Sequence, residues 1–143
     1  MKVLVQSFSY QATGYPKDKV GNGGGFIFDC RAIDAFDYSI RDNPDAPFPH
    51  MHLTGLDSKV ADALNGDVET QNFFQAVWVM VELDIKKCLR RGFRVMTVNF
   101  GCTAGRHRSV YMAERLSKQI KLSFPEIETE TRHLEQPYWP KTR

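Results

Sequence analysis

The amino-acid sequence predicts a single α/β domain with a mixed β-sheet and flanking helices, and three observations support this class. The chain has 143 residues, of which 42% are hydrophobic and 25% charged, as expected for one domain with a buried core. Segments rich in β-branched and aromatic residues alternate with segments of helical periodicity. Residues 94–133 combine the two as strand, loop, helix and strand, a βαβ unit. We place the domain at residues 1–135 and a C-terminal tail at residues 136–143.

The first part of the chain is predicted to contain two strands. Residues 2–10 are rich in β-forming residues and predict the first strand. The turn-rich stretch 13–25 ends in three glycines, which favour a turn leading into a strand over a second backbone cradle for an anion. FIFDCR, residues 26–31, predicts a short second strand that runs into charged residues. The three prolines of residues 41–50 predict an irregular surface loop.

The second part of the chain is dominated by helical periodicity. Residues 52–64 contain a short helix that should begin after the cap candidates Asp57 and Ser58. Residues 68–91 carry an apolar stripe at helical spacing and a basic last turn, and Gly92 should end this long helix. The elements predicted after it are a buried strand, an amphipathic helix and a final strand, at residues 94–100, 110–122 and 126–135.

Composition and charge exclude several classes of protein. The net charge of +2 is compatible with an anionic ligand but is too small to indicate nucleic acid by itself. The three cysteines, Cys30, Cys88 and Cys102, include no C-x-x-C pair, so a reducing cytosol fits better than a disulfide framework. The N-terminus does not have the pattern of a signal peptide, and no apolar run approaches the roughly 18 residues of a membrane span. We therefore expect a cytoplasmic protein with no membrane partner.

Two weaker patterns are expected to be structural. His50 and His52 form a His-x-His pair, but no further spaced ligands accompany them, so we predict no metal and no other cofactor. Asp57 is expected to cap the short helix rather than to take part in a site.

The nine residues GCTAGRHRS, 101–109, lie where a predicted strand leads into a predicted helix. Ligands of α/β sheets bind beyond the carboxyl ends of the strands, at such turns. The glycines let several backbone N–H groups face one anion, and the next helix adds the positive end of its dipole. Arg108 supplies a planar fork that matches phosphate, so the stretch predicts a phosphate cradle. Further positive potential and hydroxyl donors come from Arg106, His107, Thr103 and Ser109.

The same stretch has the C-x5-R-S spacing of a tyrosine-phosphatase active site. In that chemistry Cys102 is the thiolate nucleophile and Arg108 binds the phosphoryl group. The position before the cysteine, usually histidine in phosphatases, is Gly101. A phosphatase also needs a general acid, and the available carboxylates lie in no recognisable motif: Asp34, Asp37 and Asp57. A cysteine-dependent phosphatase is the alternative to a binding module.

A second resemblance covers most of the chain. The segment GCTAGRHRSVYMAERL, residues 101–116, resembles the GCTGG(K)HRSVYIAE segment of the RapZ (YvcJ) family of RNase adapter proteins. Five further stretches resemble family motifs in the same order: SFSYQATGYP (7–16), FDCR (28–31), LTGLD (53–57), VETQNFF (68–74) and TRHLE (131–135). The agreement spans about residues 3–135 and corresponds to the family's C-terminal domain.

The resemblance implies a sensory or adapter domain rather than an enzyme. In the family, this domain is associated with sensing glucosamine-6-phosphate and with binding small regulatory RNAs. The loop then corresponds to a sugar-phosphate cradle without covalent chemistry, formed by Cys102, Thr103, Ala104, Gly105, Arg106, His107, Arg108 and Ser109. Asp29 and Arg31 become candidates for the amine and the hydroxyls of the sugar, since a carboxylate suits an ammonium group.

The sequence departs from the family pattern in two places. Full-length members carry an N-terminal Walker A loop, G-x-x-x-x-G-K-[ST], and no such string occurs in these residues, so ATP binding of that kind is not transferred. The Pro-Asn-Pro-His segment that follows FDVR in the family is replaced by AIDAFDYS, residues 32–39. An RNA partner is implied by the resemblance alone, and the sequence leaves a homo-oligomer open.

Overall fold

The computed structural model describes residues 1–18, 21–36 and 53–139, which form one four-stranded sheet and three α-helices. The strands are β1 (Lys2–Ser9), β2 (Gly25–Asp29), β3 (Val95–Cys102) and β4 (Glu128–His133), in the spatial order β2-β3-β1-β4. The helices are α1 (Ser58–Asn65), α2 (Val68–Arg91) and α3 (Arg108–Ser123).

The predicted α/β class is confirmed, and the predicted mixed sheet is corrected. All three pairings among the described strands, β1 with β3, β1 with β4 and β2 with β3, are parallel. Parallel neighbours need a long crossover instead of a hairpin, and helices supply it. The chain passes through α1 and α2 between β2 and β3, and through α3 between β3 and β4.

Local sequence explains where the elements begin and end. Helix α2 has the predicted bounds: the Asp67 carboxylate accepts the Thr70 N–H at 3.0 Å, and Gly92 ends the helix in the left-handed region with φ of 67°. Strand β2 ends at Asp29, earlier than predicted, because the Asp29 side chain accepts the N–H of Arg31 and starts a 3-10 turn over Cys30–Ala32. The predicted loop 41–50, with His50, lies outside the described residues.

One face of the sheet forms the core with the helices. Alternate residues of β1 and β3 lie side by side on this face, Val3 beside Met96 and Val5 beside Val98, and all four are fully buried. Helices α2 and α3 cover them with apolar residues that include Val81, Ile85, Met112 and Leu116. None of the helices in the described ranges is long and apolar enough to cross a membrane. The parallel arrangement brings the carboxyl ends of all four strands to one edge of the sheet.

Candidate functional site

The loop that joins β3 to α3 lies at the carboxyl edge of the sheet, as the sequence predicted. Gly101 pairs with Phe8 of β1 on one side and with Asp29 of β2 on the other, so the loop begins between two neighbouring strands. Helix α3 starts at Arg108, and its N-terminus therefore faces the loop. This geometry directs the positive end of the α3 dipole towards residues 102–107.

Two glycines of the loop are required by close packing. A Cβ on Gly101 would lie 2.3 Å from the Phe8 ring and 2.5 Å from the Tyr10 ring. The histidine that phosphatases carry at this position would therefore collide with both rings. Gly105 has a φ of 67°, and a Cβ there would lie 2.7 Å from Cγ of Glu135. The backbone thus passes close under the ends of β1 and β4.

Donors outside the loop hold the carbonyl groups of its first half. The backbone N–H of Tyr10 donates to the Cys102 carbonyl at 3.0 Å. The hydroxyl of Ser9 donates to the Thr103 carbonyl at 2.7 Å. In a trans peptide the N–H points opposite to the C=O, so the N–H groups of Thr103 and Ala104 point away from β1.

Donors also hold the carbonyl groups of its second half. The indole N–H of Trp139 donates to the Gly105 carbonyl at 3.2 Å, and the backbone N–H of Gly55 donates to the Arg106 carbonyl at 2.8 Å. In the described parts of the chain, the N–H groups of Thr103, Ala104 and Gly105 donate to no protein acceptor. The loop therefore presents backbone donors while four of its carbonyls are occupied, which is the polarity of an anion-binding concavity.

Cys102 lies in the wall of the loop. Its side chain is 3% exposed, belongs to the hydrophobic core, and has its Sγ 3.1 Å from Oγ of the fully buried Ser109. Cys30 is close by: burial, and secondarily the charge of Cys102, raise the pKa of the Cys30 thiol well above its usual value. The two sulfurs therefore occupy a buried region beneath the loop.

Arg108 is a buried cation that links the loop to the turn after β2. Its side chain is 3% exposed, and Nη1 donates to the carbonyls of Ile33 at 2.6 Å and Arg31 at 3.4 Å. A cation at a helix N-terminus opposes the helix dipole, and the two carbonyl acceptors help to offset that cost. Arg108 therefore places a positive charge at the end of α3 that faces the loop.

His107 and Arg106 occupy different environments beside Arg108. His107 stands at the N-cap position of α3, is 6% exposed, and stacks on the Phe36 ring with the ring centroids 5.7 Å apart. Phe36 has a φ of 62°, which costs energy for an aromatic residue. Arg106 is half-buried. Phe36 belongs to the segment that departs from the family pattern, and no sequence signal pointed to it.

Asp29 and Arg31, the predicted sugar contacts, lie beside the loop and pair with each other. Arg31 donates from Nε at 2.9 Å and from Nη2 at 2.7 Å to the two carboxylate oxygens of Asp29, and its guanidinium lies 3.9 Å from the Tyr10 ring centroid. The hydrogen bond from Arg31 lowers the pKa of Asp29, and the same bond raises the pKa of Arg31. Both side chains are about half exposed, so a polar ligand can reach them.

Sequence reasoning missed the residues that shape the loop from outside. Ser9, Tyr10, Gly55 and Trp139 act mostly through backbone atoms or single hydrogen bonds, which leave no spacing pattern. The LTGLD motif did contain a signal: its Gly55 approaches the His107 carbonyl so closely that a Cβ would lie 2.6 Å away. Asp57 occupies the predicted N-cap position of α1, but its carboxylate accepts the Thr54 N–H at 2.7 Å instead of an N–H of the helix.

Comparisons with known proteins agree with this architecture. Residues 1–137 match the family model of the RapZ C-terminal domain. A protein of Thermotoga neapolitana named "Nucleotide-binding protein" is 32% identical over 126 residues, which are 85% of this chain and 38% of that protein. A protein of the same name from Saccharophagus degradans is 31% identical over 136 residues, 95% of this chain and 42% of that protein. The chain thus spans about two fifths of the length of these relatives.

Proposed function

This chain belongs to the RapZ C-terminal domain family, and we propose that it is a sensory domain that binds a phosphorylated amino sugar at residues 101–109. One observation carries the proposal. The carbonyls of Cys102, Thr103, Gly105 and Arg106 are all held by donors outside the loop, while the N–H groups of residues 103–105 have no acceptor in the described structure. A loop of that polarity at the N-terminus of α3 suits a phosphate group.

The side chains around the loop contribute different groups to the proposed phosphate site. Arg108 provides the buried positive charge, and Thr103 and Ser109 provide hydroxyl groups at either end of the loop. Cys102 supplies a small wall residue without covalent chemistry, since its sulfur lies in the core beside Ser109. Ala104, Arg106 and His107 complete the loop, Arg106 and His107 adding basic groups.

Asp29 and Arg31 are the proposed contacts to the sugar. They are the only oppositely charged pair that the described residues place beside Gly101, and they are half exposed. An ammonium group on the ligand suits the Asp29 carboxylate, and ring hydroxyls suit the guanidinium of Arg31. The pair therefore distinguishes an amino sugar phosphate from inorganic phosphate.

A thermal-shift panel tests the function. Glucosamine-6-phosphate, glucose-6-phosphate, inorganic phosphate and glucosamine are each added to the protein at increasing concentration. We expect the largest rise in Tm with glucosamine-6-phosphate and none with glucosamine, since a ligand at about 100 times its Kd adds roughly 2.7 kcal/mol of stability. The proposal is wrong if none of the phosphorylated compounds raises Tm.

A cysteine-dependent phosphatase is the second candidate, favoured by the 3.1 Å contact between Cys102 Sγ and Ser109 Oγ. Hydrolysis of an aryl phosphate by the wild-type protein, abolished in Cys102→Ser, would establish that enzyme. Under the sensor proposal neither protein hydrolyses it, and Cys102→Ser retains phosphate binding.

RNA binding is a further proposal that rests on the family. Candidate cations lie at the exposed end of α2 and along α3, at Lys86, Lys87, Arg90, Arg91, Lys118 and Lys121. Filter binding of structured RNA at increasing ionic strength tests it, because phosphate contacts make the affinity fall with salt. If filter binding shows no salt-dependent affinity for structured RNA at moderate ionic strength, the RNA proposal is wrong.

A further inference from the structure

The end of the described chain folds against the back of the loop. This C-terminal strap, residues 134–139, follows directly after β4 and is tied to β1 at its start, where the Leu134 N–H donates to the Ser7 carbonyl at 2.9 Å. The Glu135 carboxylate then accepts the Thr13 N–H at 3.1 Å, and its Cγ lies under Gly105. Two separate contacts thus fix the strap before it reaches Trp139.

Trp139 has a fixed place at the end of the strap. Its ring lies 5.8 Å from the His133 ring, which is held on both sides: Nδ1 is 2.7 Å from the Ser7 hydroxyl and Nε2 is 2.9 Å from the Glu114 carboxylate. The His133 side chain is only 5% exposed, so it forms a rigid support. The indole N–H therefore meets the Gly105 carbonyl from a defined direction at 3.2 Å.

We propose that Trp139 is a positioning residue for the anion-binding loop. Its indole N–H holds the Gly105 carbonyl, which fixes the peptide between Gly105 and Arg106 and keeps the loop in the shape that presents the N–H groups of residues 103–105 to the phosphate. The inference rests on the proposed function of the loop. Gly105 has a φ of 67°, a conformation that glycine leaves readily, so this peptide needs an external group to hold its orientation. Ser9 does the same for the peptide that follows Thr103.

The test compares two tryptophan variants of the full chain. Trp139→Phe keeps an aromatic ring against His133 and removes the indole donor. Trp78→Phe is the matched control. Trp78 lies on α2, with its ring 6.3 Å from that of Phe124 and remote from the loop.

Binding of inorganic phosphate is measured by calorimetry, and exchange of individual backbone amides is measured by NMR without ligand. We expect Trp139→Phe to weaken phosphate binding about three- to tenfold, as for the loss of one hydrogen bond. The variant should also speed the hydrogen exchange of the Arg106 amide or shift its NMR resonance. Trp78→Phe should change neither.

The two readouts separate the possible outcomes. Unchanged affinity in Trp139→Phe overturns the proposal, whatever the exchange data show. Weaker binding with an unchanged Arg106 amide also overturns it, because Trp139 would then act by touching the ligand. If the wild-type protein binds no phosphate, the proposed function fails and the positioning role fails with it. If the Arg106 amide of Trp139→Phe still changes when the wild-type protein binds no phosphate, Trp139 holds the peptide but the loop is not a phosphate site.

Discussion

Two glycine-rich turns of this molecule look alike in sequence and differ in what their backbone groups do. In the turn at residues 21–25, the Gly24 N–H donates to the Gly21 carbonyl, and the Gly24 carbonyl accepts from Thr97. The Gly21 N–H donates to the Asp18 carboxylate, so two N–H groups of this turn are used locally, and those of Asn22 and Gly23 have no acceptor among the described residues. In the loop at residues 101–107, outside donors occupy the carbonyls and three successive N–H groups have no acceptor in the described structure. On our proposal, the helix that follows the loop, and not the number of glycines, makes the loop the anion site.

The two turns also differ in the element that follows them and in the residues around them. The 21–25 turn leads into a strand, and a cavity of about 590 Å³ lies between it and α2, lined by Met80, Leu83, Lys87 and Arg90 among others. Among the described residues, no helix N-terminus faces this cavity. The 101–107 loop leads into α3 and contains a buried arginine. Our proposal therefore assigns phosphate to the loop and not to this cavity.

The largest effect is expected at Gly23, where a Cβ would lie 1.9 Å from the Val95 carbonyl oxygen. Gly23→Ala should lower the free energy of unfolding by about 2–3 kcal/mol, because backbone must shift to admit the methyl group. Gly24→Ala meets open space but has a φ of 66°, so about 1 kcal/mol is expected. Urea denaturation measures both. Equal losses would contradict the close packing, and a lowered phosphate affinity of folded Gly23→Ala would contradict the division between the two turns.

Arg108 should have the next largest effect. Arg108→Ala is expected to weaken phosphate binding about 10- to 100-fold, because a buried charge-assisted contact is lost, and Arg108→Lys should fall between. Arg115→Ala is the matched control on the same helix, since Arg115 packs on the Phe74 ring at 4.1 Å, away from the loop. Calorimetry with inorganic phosphate measures the affinities. Wild-type affinity in Arg108→Ala, with the variant shown to be folded, would remove Arg108 from the site.

Ser9 tests the orientation of the loop peptides. Its hydroxyl donates to the Thr103 carbonyl at 2.7 Å and accepts the Gln11 and Ala12 N–H groups at 3.1 Å each. Ser9→Ala should cost about 1 kcal/mol of stability and weaken phosphate binding about three- to tenfold. Ser123→Ala, at an exposed hydroxyl near the end of α3, should leave affinity unchanged. A loss of stability without a loss of affinity would show that Ser9 supports the fold alone.

The smallest effects come from two carboxylates, one beside each turn, and they have opposite signs. The pKa of Asp29 is lowered by its hydrogen bond to Arg31, so its stabilisation is present above the unfolded value of about 4 and is lost as pH falls through the folded value. The pKa of Asp84, beside the 21–25 turn, is raised by burial, so its ionised form destabilises the fold as pH rises through that value.

At neutral pH, therefore, Asp29→Asn should lower stability and Asp84→Asn should raise it, each by less than about 0.5 kcal/mol because both side chains are largely solvated. Both differences should shrink as the pH is lowered from neutral towards pH 2, because each carboxylate becomes protonated. Urea denaturation at the two pH values measures the change, and effects of the same sign at neutral pH would contradict the assignment.

Much of the fold was predictable because its signals are local. The bounds of α2 follow from an apolar stripe between Asp67 and Gly92, and β3 from a continuous apolar run before Gly101. The parallel character of the whole sheet was not predictable, since it depends on which strand pairs with which. β1 pairs with β3 and β4, partners that lie roughly 90 and 125 residues away, and such pairing leaves no local pattern.

The site was predictable only in its contiguous part. The residues of GCTAGRHRS carry their chemistry in one stretch, and the structure places them together at the edge of the sheet. Its outer supports come from three distant segments, through Ser9, Gly55 and Trp139. Their role also depends on the direction of single peptide groups, a property that side-chain identity does not encode. Arg108 likewise turned out to be held by the carbonyls of Arg31 and Ile33, which spacing alone did not indicate.

The most direct test of the account is an NMR titration of the wild-type protein with inorganic phosphate, followed by backbone amide shifts. We expect saturable shifts concentrated at residues 103–107, with little change at residues 21–25. Shifts concentrated at residues 21–25 and along Lys87 and Arg90 of α2, or no saturable shift anywhere, would contradict it.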